Sequence, residues 1–390
     1  MKITARTLSG EVCHIQVEDH VFKKITPTNE DLLDLPWIAP GLIDIQINGF
    51  AGVDFNRPIE SDDAWRHVTK QLYAHGCTGF LATLITNAED GYRKLLSGLT
   101  GRIELDPRNC LGFHMEGPWL NPDPGTRGAH RTEWMQKPSL RLLDEWLAIA
   151  GPLLKLITLA PEVDLDASRE VIRAGVRKNI QFFLGHSLAM GETLAAAIEA
   201  GAVGWTHLGN AVASTVPKFE NVIFHALAQP GLLASLIPDG LHLPPHAFRV
   251  LARALQKGHH APRLLLTTDA MAAAARPAPG TGAEPGGYTL GDVEVQVGPD
   301  GAARLPTPAG SGRLAGSTLT PFRGAFLAER MGGIFLEDAW TAFSTRPAAL
   351  LGFKHGLAEG NSADFCLLSP EKTPYLLATY HHGKCVYEAV

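Results

Sequence analysis

Cys110–Glu116 reads CLGFHME, Ile180–His186 reads IQFFLGH, Val203–His207 reads VGWTH and Leu264–Asp269 reads LLLTTD. Each is a short, nearly unbroken apolar run that ends on a residue able to bind a metal or move a proton. Four more runs share the apolar part: LIDIQIN (42–48), TGFLATLIT (78–86), LKLITLAPE (154–162) and LASLIPD (233–239). Runs without polar alternation need cover on both faces, the situation of strands in a parallel sheet. Most gaps hold a segment with apolar residues at helical spacing: 62–75, 88–99, 138–149, 164–178, 190–200 and 245–256. Strand and helix alternating in this way predict an α/β fold, a (β/α)8 barrel of the TIM type. An open doubly wound sheet is the competing arrangement, and the lack of GxGxxG after the first strand weighs against it.

The two ends read differently. Residues 1–40 and 352–390 carry short β-like pieces (KITAR, HIQVED, DFCLLS, YLLATYHHGKCVYEAV) with little helical period, and are expected to join in one small β domain. The barrel would then occupy 41–351, with a Gly/Pro-rich insertion at about 276–312 whose YTL and VEVQV runs suggest a hairpin near an active site.

Composition narrows the partners. With 390 residues, 45% of them hydrophobic, the chain has enough apolar material for a large core, which excludes a disordered protein. Lys+Arg number 34 against 40 Asp+Glu, a net charge of -6 without a basic cluster, so neither nucleic acid nor an anionic membrane has electrostatic support. A small-molecule substrate is expected instead. Five scattered cysteines without CxxC spacing argue for free thiols in a reducing compartment, and no apolar stretch is long enough for a bilayer, so a cytoplasmic location is expected.

In a (β/α)8 barrel the chemistry sits at the C-terminal ends of the strands. The residues there are Glu116, His186, His207 and Asp269. One carboxylate and two imidazoles make a zinc-type set that leaves a coordination position open, with Asp269 left to move protons. Taken singly, each could be a buried polar residue satisfied by backbone; four at corresponding strand ends argue for a shared centre. The loop after Glu116 (GPWLNPDPGTRGAH) could bring His130 over that centre, where it could stabilise an oxyanion. His114 stays unassigned. Ser187 reads as the N-cap of the helix that follows rather than a nucleophile, since no GxSxG is present.

The strings APGLIDIQINGFAGVDFN, GFHMEGPWLN with RGAH, GHSLA, THLGNAV, DGLHL, LLTTDAMAAA and LAGSTLT, taken together and in order, resemble the N-acetylglucosamine-6-phosphate deacetylases of the amidohydrolase superfamily. The resemblance runs from about residue 38 to about residue 350. It implies a metal-dependent hydrolase barrel with a small β-sandwich made from both termini, and deacetylation of N-acetyl-D-glucosamine 6-phosphate. By motif position, Glu116, His186 and His207 would hold one divalent ion, read as Zn2+. Asp269 would be the acid/base, and His130 would bind the acetyl carbonyl. Ala129, Asn210, Ala211, His242, Leu314, Ala315 and Gly316 would contact the sugar phosphate, and a homodimer is expected.

Two departures refine this reading. The first strand often ends in HxH in the superfamily, whereas here it reads Gln46-Ile47-Asn48, and amides are poor zinc ligands beside imidazole, so a single metal is expected. The family's Arg-Glu-Pro-Gly segment, whose arginine reaches the phosphate, often across a dimer interface, is missing after THLGNAV; Lys218, eleven residues after His207, would stand in for it. The rival readings are a related amidohydrolase acting on another N-acyl amine or an unphosphorylated amino sugar, and a non-catalytic barrel relative.

Overall fold

The computed structural model describes residues 1–30, 34–256, 261–276, 287–306 and 312–389. Eight parallel strands make the central sheet: β1 (Leu42–Ile47), β2 (Cys77–Ile85), β3 (Cys110–Glu116), β4 (Leu154–Leu159), β5 (Gln181–Leu184), β6 (Gly204–Trp205), β7 (Leu233–Leu236) and β8 (Leu264–Leu266). They are ordered consecutively, each hydrogen-bonded to the next. The seam between β8 and β1 is closed by a single bridge, Ile47 with Ala270, and by Asn48 N donating to the Ala270 carbonyl at 2.7 Å. The buried Asp44 carboxylate pins the same seam, accepting from Thr268 N at 3.0 Å and from the hydroxyls of Thr267 and Thr268. The expected barrel is therefore present and nearly closed.

Helices cover its outside. Ser61 caps the Asp62–Tyr73 helix by accepting from Ala64 N, and Asp62 and Asp63 suit the positive N-terminal end. Its buried face, with Trp65, Val68 and Leu72, packs into a cluster with Phe55 and Phe80. A separate apolar cluster takes Ile45, Leu81, Leu156, Phe183 and Leu265 from five different strands, the pattern of a layer filling a barrel. A short helix at Val222–Ala228, capped by Asn221, was not anticipated from the sequence; seven residues are too few for a clear period. Ser187 is not a helix cap. The helix begins at Gly191 after Met190, and the Ser187 hydroxyl instead donates to Glu162 at 2.7 Å.

The chain's two ends meet in one seven-stranded sheet, with Lys2–Thr7, Val12–Glu18, Val21–Thr28 and Trp37–Pro40 joined to Phe365–Leu368, Leu376–His381 and Lys384–Glu388. Trp37–Pro40 and Phe365–Leu368 pair directly, so both termini are held by the same ladder. Within the Gly/Pro-rich insertion, Tyr288–Leu290, Val293–Val297 and Ala303–Arg304 form a small antiparallel sheet; 277–286 and 307–311 lie outside the described residues. No described helix is long and apolar enough to cross a membrane.

A buried ion pair braces the terminal sheet against the barrel. His381 Nε2 donates to the Arg108 carbonyl at 3.1 Å, its Nδ1 lies 3.0 Å from Asp364, and His382 N donates to the same carboxylate at 2.7 Å. Burial alone would raise the Asp364 carboxyl, but the His381 hydrogen bond and charge bring it down from 3.8 to about 2. A folded-state value below the unfolded one stabilises the protein above pH 4 and ceases to do so as pH falls toward 2. Asp364→Asn is thus expected to cost about 2 kcal/mol near neutral pH. Urea midpoints of wild type and variant should converge between pH 4 and pH 2, and a gap independent of pH would contradict this origin.

Candidate active site

β3 delivers Glu116 as its last residue. The other three groups lie just beyond the strands in which the sequence placed them: His186 two residues after β5, His207 two after β6 and Asp269 three after β8. All three adopt left-handed backbone, with φ of 48°, 33° and 52° respectively. Non-glycine residues rarely sit there, because the Cβ crowds the following carbonyl at a cost of about 1–2 kcal/mol each. Tight turns at the strand ends aim the side chains inward, which a continued strand would not do.

These turns bring the groups together. His207 Nε2 is 2.9 Å and His186 Nε2 is 3.3 Å from Glu116 Oε1, while His130 Nε2 is 3.8 Å from Glu116 Oε2. The ring centroids of His130 and His186 are 4.4 Å apart, and those of His186 and His207 are 5.0 Å apart. With one ligand atom from each, Glu116, His130 and His186 lie within 4.8 Å of one another. Burial would raise the Glu116 carboxyl, but hydrogen bonds from His186 and His207 hold it well below the ordinary range.

The far nitrogens separate the roles of the imidazoles. His186 Nδ1 faces the Thr126 carbonyl at 2.9 Å, an acceptor only, so Nδ1 carries a proton and Nε2 is the nitrogen left to face Glu116 and free to ligate once deprotonated. His207 Nδ1 is buried without a partner, and its Nε2 converges on the same carboxylate. His130 is the reverse case. Its Nδ1 accepts from the Thr86 backbone N–H at 3.4 Å and meets the Thr86 hydroxyl at 2.9 Å, which leaves the proton on Nε2. Burial and the neighbouring His186 push His130 down to about 3, so it is a neutral N–H donor, not a lone-pair ligand. A carboxylate and two imidazole Nε2 atoms converging on one buried point suit a divalent cation such as zinc, which would displace the protons now shared between them.

Asp269 faces this cluster across the cavity. Its carboxylate accepts from Asn48 Nδ2 at 2.6 Å, and Glu116 accepts from Gln46 Nε2 at 3.0 Å. The two amides that stand where HxH is common therefore hold the carboxylates through their N–H groups. Burial and the charge on Glu116 raise Asp269 to about 7, opposed by His207, His242 and Asn48. His114 takes no part: it is buried between Thr158 Oγ1 at 2.8 Å and Thr83 Oγ1 at 3.4 Å, and burial lowers it to about 4.

The loop carrying His130 is laced to His186. Asn121 N donates to the His186 carbonyl at 3.0 Å, and Gly128, at φ 59°, lies so close that a Cβ would come within 2.9 Å of the His186 ring. Glu162, which the sequence reading passed over, ties this region together by accepting from Asn121, Ser187 and Leu188 N. The signal for it was faint, a glutamate three residues past β4.

Asn48, Glu116, His130, His186, His207 and Asp269 line a cavity of about 500 Å³. Of the expected sugar-phosphate contacts, Ala129, Asn210, Ala211, His242, Leu314, Ala315 and Gly316 line it as well. Lys218 does not; it is exposed on the following segment with its ammonium 5.6 Å from the Phe219 ring. The chain leaves this protomer's cavity wall after Ser214, four residues before Lys218. The insertion contributes Leu290 and the segment after it Arg313, which the sequence reading did not name. His242 Nδ1 bonds Asp239 at 2.7 Å; burial lowers His242, but the carboxylate outweighs it and the imidazole ends up raised.

The model of the amidohydrolase family matches residues 37–386. This chain belongs to the amidohydrolase family, among its N-acetylglucosamine-6-phosphate deacetylases. The N-acetylglucosamine-6-phosphate deacetylase of Rattus norvegicus is 36% identical over 368 residues, covering 90% of this chain and 84% of that protein. The deacetylase of Vibrio furnissii is 30% identical over 357 residues, covering 90% and 83%. Among solved structures, an aspartate-to-alanine mutant of the Mycobacterium smegmatis deacetylase in complex with N-acetyl-D-glucosamine-6-phosphate superposes with a TM-score of 0.84 at 25% identity, covering 99% of each chain. The amidohydrolase barrel and its terminal sheet thus agree with the fold expected from the strand pattern.

Proposed function

We propose that this chain hydrolyses N-acetyl-D-glucosamine 6-phosphate to D-glucosamine 6-phosphate and acetate. The observation that carries the reading is the convergence of His186 and His207 on Glu116, with Asp269 across the same cavity, in a chain akin to deacetylases. Glu116, His186 and His207 would hold one divalent cation, read as Zn2+. When bound, such a cation supplies Lewis acidity, making water a stronger acid and the acetyl carbonyl more electrophilic.

The remaining steps belong to the protein. Asp269, raised to about 7, is poised to take a proton from the attacking water near neutral pH and to return it to the departing nitrogen. His130, with its proton fixed on Nε2 by Thr86, donates to the acetyl oxygen as charge develops there. Asn48 holds Asp269 in place, and the wall from Leu314 to Gly316 with Asn210 and Ala211 receives the sugar. Free cysteines, four of them buried, agree with a cytoplasmic setting. Exposed Val216, Phe219 and Phe224, just past the cavity wall, would suit the face of a homodimer.

The test is acetate release from N-acetyl-D-glucosamine 6-phosphate, with metal content measured on the same sample. Equal molar amounts of acetate and free amine are expected from the zinc-loaded protein. Release from other N-acyl amines alone would overturn the substrate, and no release from any would overturn the hydrolase.

A further inference from the structure

One carboxylate and two imidazoles, the donor set of the active site, gather a second time among the described residues. Asp364, His381 and His382 each offer one ligand atom, and these atoms lie within 4.8 Å of one another. They stand on the terminal sheet, just before Phe365–Leu368 and at the turn between Leu376–His381 and Lys384–Glu388, and none of them lines the substrate cavity.

The backbone fixes all three. His382 (φ 49°) and Gly383 (φ 69°) make the two-residue turn between the paired residues His381 and Lys384. Both central residues of such a turn need positive φ, which glycine adopts freely and histidine seldom. Asp364 Oδ1 accepts from His382 N at 2.7 Å, and Gly383 N donates to the Ala363 carbonyl at 2.9 Å, so the turn is tied to the segment that carries the carboxylate. The two rings, centroids 4.1 Å apart, therefore share one oxygen: His381 Nδ1 is 3.0 Å and His382 Nδ1 is 3.9 Å from Asp364 Oδ1. A tetrahedral ion with bonds of about 2.0 Å holds its ligand atoms about 3.3 Å apart, which falls between those separations.

The far side of His381 is arranged as for a metal ligand. Its Nε2 donates to the Arg108 carbonyl at 3.1 Å, an outer contact that orients the ring and leaves Nδ1 facing the carboxylate, free to ligate once deprotonated. An acceptor stands at each nitrogen of this imidazole, while a neutral ring carries one N–H. The balancing positive charge is a proton in the ion pair described above, or a cation at the same point. His382 Nδ1 meets the Ser362 hydroxyl at 2.8 Å, a neutral contact that an ion would replace. Its side chain is 58% exposed, which gives an ion a way in and leaves room for water as a fourth ligand.

We propose that Asp364, His381 and His382 form a second divalent-metal site, a zinc clamp that holds the last hairpin of the terminal sheet. It stands apart from the deacetylase reading. Open to water on one side, it keeps its ion less firmly than the buried centre at Glu116 and fills only while free zinc is present.

The experiment is equilibrium dialysis of the full chain against free zinc on the order of 10 µM, with elemental analysis of wild type, His382→Asn and Glu116→Gln. Asparagine suits the left-handed turn position, so the hairpin should survive the substitution. About two zinc ions per chain are expected in wild type and about one in each variant, with acetate release unchanged in His382→Asn. In wild type, zinc should also protect His382 from acylation by diethyl pyrocarbonate, read by peptide mapping, because ligation through Nδ1 leaves Nε2 protonated. Saturation of wild type at one ion, two ions retained by His382→Asn, or unprotected His382 at saturating zinc overturns the site. Two ions in wild type and none in Glu116→Gln would place both at the active centre and overturns it equally.

Discussion

Asp269→Asn should lower kcat by on the order of a thousandfold, with the protein folded and its metal retained. The substitution is nearly isosteric, and the new amide oxygen can still accept from Asn48 Nδ2, now 2.6 Å from the carboxylate, so the turn after β8 keeps its support. What disappears is the proton acceptor, worth roughly 4 kcal/mol of barrier if three decades are lost. Because Asp269 acts in the transition state and not in holding the sugar, KM should move little. Steady-state kinetics on a variant of verified metal content decides it. Near-full turnover with metal bound would remove Asp269 from the mechanism.

Glu116→Gln should have the other large effect, on the metal first and on activity as a consequence. Glu116 is the one anion on which His186 and His207 converge, at 3.3 and 2.9 Å, and its replacement removes the charge that draws a cation into a buried site. Loss of outer-sphere partners alone costs 10- to 100-fold in metal affinity, so loss of the ligand should cost more than about 100-fold. Elemental analysis after gel filtration should fall from near one metal per chain to a small fraction, with activity falling in parallel. Excess zinc in the assay should restore part of it. Full metal occupancy in the variant would mean that the cation is held elsewhere.

Much of the architecture was legible because buried parallel strands are written as unbroken apolar runs. β3 ends where the sequence placed its end, on Glu116. His186, His207 and Asp269 were found as residues but not as geometry. The runs IQFFLGH, VGWTH and LLLTTD continue past the points where the ladders stop, at Leu184, Trp205 and Leu266, and the raised frequency of histidine and aspartate in the left-handed region is too weak to locate a turn. Ser187 carried a cap signal, yet Glu162 across the neighbouring turn took its hydroxyl instead. Arg313 shows the sharper limit. Return of the chain through the insertion puts it on the cavity wall, and only the fold records that return.

The single bridge between the first and last barrel strands has a bearing on catalysis. Asn48 follows β1 and Asp269 follows β8, so the proton carrier and the amide that orients it stand on opposite lips of the one interrupted ladder. A fluctuation that parts these lips would separate the two side chains while the other seven strand pairings stay zipped. The hydrogen bonds of Asp44 to Thr267 and Thr268 across this seam thus also keep the proton carrier beside its orienting amide.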